Sequence, residues 1–134
     1  MLVETVTLQL PERLYLRLAN TANATQRSLE EVILHALRVG SPPAWEDAPS
    51  EFQADLAAMD RLDDEALWQI ARSRRTTADM KRYDFLLERN QSGGLTEAER
   101  LELMSLRAEA DRFVLRKAHA AVLLRWRGHN VPPP

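Results

Sequence analysis

The first forty residues constrain this chain more than any other part of it. Val6-Thr7-Leu8-Gln9-Leu10 alternates apolar and polar side chains with the period of a strand, and two short helical patterns follow, Glu12 to Ala24 and Leu29 to Val39. Period two puts Val6, Leu8 and Leu10 on one face and Thr5, Thr7 and Gln9 on the other. One strand and two helices make no sheet by themselves. The strand's N–H and C=O groups need a partner, and the nearest is the same segment, residues 3–10, of a second copy. The pattern therefore predicts a homodimer joined through residues 3–10 and both N-terminal helices.

The helix signals are local. Pro11 stands where a missing N–H does no harm, and Leu14, Leu18 and Ala22 recur at four-residue spacing with Tyr15 and Leu16 widening the stripe. Ser28-Leu29-Glu30-Glu31 reads as a capping box opening the second helix, which Gly40 and Pro42-Pro43 stop. Residues 41–50 hold three prolines and no period, so they read as a linker with Trp45 as an anchor. This gives a dimerisation module over 1–40, a Pro-rich linker over 41–50 and a helical region over 51–134.

That region is helical throughout. Ser50-Glu51-Phe52-Gln53 reads as a capping box before a helix to Met59, Asp63 as the cap of a helix through Ala71, and Thr76 or Thr77 as the start of one through Leu87. Asn90 to Gly94 breaks the pattern. Thr96-Glu97-Ala98-Glu99 then opens the longest element, which runs to Gly128 with two adjoining stripes. One holds Leu103, Leu106, Ala110, Phe113, Ala120 and Leu124, and the other Leu101, Met104, Ala108, Leu115, Ala118 and Val122. A single antiparallel neighbour such as Met80–Leu87 is too short to cover both, so a further surface must complete the burial. Phe113, Arg116, Leu124 and Trp126 are the expected contacts to a protein partner, because large aromatics and arginine dominate such contacts.

Charge is nearly balanced overall, at −2, which argues against a wholly basic nucleic-acid binder. The distribution is uneven, however. From Arg112 onward, Arg112, Arg116, Lys117, Arg125 and Arg127 occur without a carboxylate. Two readings fit: cations complementing a helix C-terminus, or a contact surface for phosphate or an acidic partner. There is no cysteine, which fits a reducing cytoplasm, and no apolar run approaches the roughly 20 residues that span a bilayer. The expected setting is cytoplasmic, with no membrane partner.

In order and spacing, the strand, the proline at its end and the two helices over about residues 3–40 resemble the ribbon-helix-helix DNA-binding family. The resemblance implies a two-stranded ribbon in the major groove of operator DNA, with Thr5, Thr7 and Gln9 reading base edges. It also implies a phosphate at the start of the second helix, held by the backbone of Ser28 and Leu29 with Arg27 nearby. The expected fold class is mostly α, with one strand paired between chains and a helical region ending in a long helix. The layout is similar to that of bacterial antitoxins, which repress their own operon and grip a toxin.

Catalytic and metal-binding patterns are sparse. His35, His119 and His129 are dispersed, with no ligand spacing between them. Asp60, Asp63, Asp64 and Glu65 read as acids favoured by a helix N-terminus, and Gly93-Gly94 as a turn. The expectation is no enzyme, no metal and no cofactor: a dimeric DNA-binding transcriptional regulator with a partner-binding helical region, or else a dimeric scaffold that does not bind DNA.

Overall fold

The computed structural model describes residues 2–133, which divide into two compact units between Ser41 and Pro42. The described residues are all helical or irregular, with no strand among them. This overturns the ribbon. Residues 2–10 carry no regular secondary structure, and both faces of the alternating segment meet solvent, with Val6 74% and Leu8 65% exposed. Alternation suits a half-buried strand, but a strand also requires a ladder of hydrogen bonds to a neighbour and a core beneath one face. Unit 1 supplies residues 2–10 with neither, so the expected strand and its ribbon are absent from the described residues.

What unit 1 does form is a helical hairpin. Helix α1 spans Glu12–Thr25 and α2 spans Leu29–Val39, packed on each other with Ala22 and Val32 buried. Gln26 turns the chain in the left-handed region (φ 53°, ψ 42°), and the Arg27 N–H closes back on the Ala22 carbonyl at 3.0 Å. Ser28 caps α2, its Oγ accepting from the Glu31 N–H at 3.1 Å.

Unit 2 holds α3 (Ser50–Ala58), a 3-10 turn (Met59–Arg61), α4 (Asp64–Arg72), α5 (Thr77–Gln91) and α6 (Glu97–Trp126). Its helix starts follow the sequence signals. Asp63 accepts from the Ala66 N–H, Thr76 from the Asp79 N–H, and Thr96 and Glu99 complete a reciprocal capping box at 3.1 Å in each direction. Ser50 departs from expectation. The cap position falls on Pro49, and the Gln53 amide instead donates to the Glu46 and Ala48 carbonyls, both at 2.9 Å. Residues 45–48 are thereby tied to α3, and Trp45 and Ala48 pack on the unit's core.

At 30 residues, α6 is about 45 Å long and is covered in two halves. Toward its start it pairs with α5, where Leu86 and Leu103 are buried and the Arg82–Glu102 and Arg89–Glu99 ion pairs join the two helices. Toward its end, Ala120, Leu123 and Leu124 meet Leu56, Met59 and Leu67 in the main cluster. The neighbours α3 and α4 thus supply the extra surface that α5 is too short to give. They cover one stripe and leave most of the other open, with Leu101 60% and Met104 61% exposed.

Candidate functional site

The residues expected to touch DNA are all at or near the surface of unit 1. Thr5, Thr7 and Gln9 are exposed on the irregular segment, Arg27 and Ser28 are exposed at the turn, and Leu29 is half-buried. Without a ribbon, nothing holds Thr5, Thr7 and Gln9 in a fixed reading register. The start of α2 carries Glu30 and Glu31 in its first turn, which already satisfy the helix dipole with negative charge.

The four expected partner contacts separate in unit 2. Leu124 is fully buried in the unit's own core, so its packing is internal and no partner reaches it. Phe113 and Arg116 are half-buried, and Trp126 is 51% exposed. Phe113 stands where two concavities meet. The smaller, of about 440 Å³, includes Gln69, Ile70, Arg112 and Arg116 in its lining, and Arg112 also pairs with Asp55 at 3.0 Å.

The larger concavity, of about 700 Å³, is a groove between the end of α4, the second half of α6 and the segment after α6. Trp68 and Ala71 form its α4 side, Val131 to Pro133 its far wall. Along α6, Val114, Ala118 and Val122 recur at four-residue spacing, which sets them on one helix face. Arg72, Arg74, Lys117 and Arg125 also line the groove, and no carboxylate does. Such a lining combines apolar surface with positive charge. The basic stretch after Arg112 foreshadowed half of this; Arg72 and Arg74 arrive from α4 and the loop after it, and only the fold joins them to it.

No family model matches the chain, and no curated protein or solved structure is similar to it.

The groove's far wall is fixed by a polar clasp. Arg127 Nη1 donates to the Leu62 carbonyl at 2.8 Å and to Asp64 Oδ1 at 2.9 Å, and Nη2 to the Asp60 carbonyl at 3.3 Å. His129 Nε2 lies 2.7 Å from Asp64 Oδ2, and its ring meets Trp68 edge-on at 6.0 Å. Hydrogen bonds from Arg127 first and from His129 second hold the Asp64 carboxyl below its ordinary range. Asp64 thus anchors the C-terminal segment beyond α6, in addition to its place at a helix start. A carboxylate beside an imidazole also occurs in catalytic and metal sites, but among the described residues no group of three side chains is placed to hold a metal. Arg72 lies over Trp68, 4.4 Å from the ring centroid, so the indole meets both a cation and an imidazole.

Sequence reasoning missed His119. It is 8% exposed, its Nε2 makes no hydrogen bond to the protein, and burial pushes the imidazole below its usual value against the smaller raising effect of Asp60. Its neighbours in the sequence, Ala118 to Val122, are the only available signal, marking it as a member of a packed face. No helix among the described residues is long and apolar enough to cross a membrane.

Proposed function

We propose that this chain is a non-enzymatic, cytoplasmic assembly protein that joins a second copy through unit 1 and holds a protein partner on unit 2. One observation carries the reading. Unit 1 buries only Ala22 and Val32 fully, while Leu14, Tyr15, Leu16, Leu34, Leu37 and Val39 are exposed. About forty residues with so small a core do not hold together alone, and an apolar surface of that extent marks an interface. A second copy is the simplest occupant, because two identical faces of this kind are self-complementary about a two-fold axis.

Exposure of Thr5, Thr7, Gln9 and Arg27 favours a second reading, a dimeric regulator of antitoxin type that also touches operator DNA. That reading no longer has a ribbon to present those side chains. Sedimentation of the full chain tests the first proposal: a dimer that Leu37→Glu converts to monomer supports it, and a monomer at all concentrations removes it. Titration with duplex DNA from the promoter of its own gene decides the second. Binding that weakens with salt supports the regulator, and no binding at low salt leaves the assembly protein alone.

A further inference from the structure

The groove on unit 2 combines an apolar floor with a one-signed rim. Trp68, Phe113 and Val122 line it, and Arg72, Arg74, Lys117 and Arg125 stand among them with no carboxylate to neutralise them. Elsewhere in the unit, Arg82 pairs with Glu102, Arg89 with Glu99, Arg112 with Asp55 and Arg127 with Asp64. Among the described residues, the four cations of the groove have no such carboxylate partner. Lys117 and Arg125 are eight positions apart on α6, which separates them by about 12 Å along the groove. That spacing is about two turns of a helix, and the exposed Ala118 and Val122 lie between them, with Val114 one turn before Ala118.

We propose that this groove takes an acidic amphipathic helix of a partner protein, apolar side chains at helical spacing entering between α4 and α6 and carboxylates flanking them meeting Arg72, Arg74, Lys117 and Arg125. The inference rests on the reading that unit 2 binds a protein, and it adds the chemistry of the bound segment. A nucleic acid would place phosphates over the apolar floor without filling it. A small carboxylate would satisfy one end of the rim and leave the other. An amphipathic helix meets both requirements, since its apolar face fills the floor while charges one and two turns apart reach each rim.

A photoreactive benzophenone amino acid in place of Val122, in the full chain and in the cells that make it, tests this by sequencing whatever is cross-linked. The expected product is one protein segment with Asp or Glu flanking apolar residues at three- and four-residue spacing. Lys117→Glu combined with Arg125→Glu is then expected to reduce the yield roughly tenfold, as for the loss of two charge-assisted contacts at an exposed rim. If that double variant loses helix content, Arg74→Glu, on an exposed loop residue, replaces it with a smaller decrease expected. A cross-linked segment that is basic or neutral, or one from a second copy of this chain, overturns the acidic-helix proposal but leaves protein binding standing. Cross-links only to nucleic acid or lipid, or none to any macromolecule, overturn both. An unchanged yield in the charge-reversed variants also overturns it.

Discussion

Unit 1 and unit 2 contain similar kinds of residue and use them in opposite ways. Unit 2 closes a core on itself: Leu56, Met59, Leu67, Ala120, Leu123 and Leu124 come from three helices and the 3-10 turn, and each is nearly or fully removed from solvent. Unit 1 has leucines, valines and a tyrosine at helical spacing but hides only Ala22 and Val32. The difference lies in the number of layers. Two short helices give each apolar stripe one neighbour, whereas α6 is met by α3, α4 and α5. An amphipathic pattern thus states that a face will be covered, but the chain alone decides whether the cover is its own.

The largest test of this contrast is to separate the units. A fragment of residues 42–134 is expected to unfold cooperatively as a monomer, and a fragment of residues 1–41 to lose its helices on dilution, both followed by circular dichroism. A dilution-proof 1–41 fragment would break the comparison. Next in size is Leu124→Ala, which removes a fully buried side chain from the centre of unit 2 and is expected to cost about 2–5 kcal/mol in denaturant unfolding.

A smaller effect rides on one proton. His119 is held below its ordinary value by burial, so the folded chain binds fewer protons than the unfolded one just below pH 6.5. Stability therefore falls as pH drops through about 6.5 toward the lowered folded value, and it is fully present above that window. His119→Gln is expected to remove this part of the pH dependence. The Asp64 contribution has the same sign in a lower range, present above the ordinary carboxyl value of 3.8 and lost only as pH falls below it, so the two separate in a pH series of melts. Smallest is Gln26→Gly, which relieves a left-handed backbone at a non-glycine residue and is expected to stabilise the hairpin of unit 1 by about 0.5–1 kcal/mol.

The sequence made the helices legible because their signals are local. Asp63, Thr76 and Thr96 each cap the helix they precede, and Gly128 comes just after the end of α6 as its position suggested. The supposed strand was legible only as a pattern. Its partner lay outside the local sequence, and among the described residues none is supplied. Leu124 was misplaced for a related reason. Both stripes of α6 look alike as letters, and only the packing of α3 and α4 decides that Leu124 turns inward while Met104 stays out. The groove was half visible, since Lys117 and Arg125 belong to a conspicuous basic run, whereas Arg72, Arg74 and Trp68 lie 43 to 57 residues earlier.

The clasp between Asp64 and Arg127 joins residues 63 positions apart. During synthesis, α3, α4 and the 3-10 turn leave the ribosome well before Ala120, Leu123, Leu124 and Val131 exist to cover them. The apolar faces of Leu56, Met59 and Leu67 stand open for that whole interval, and a chain cut short anywhere before Ala120 has helices but no centre to unit 2.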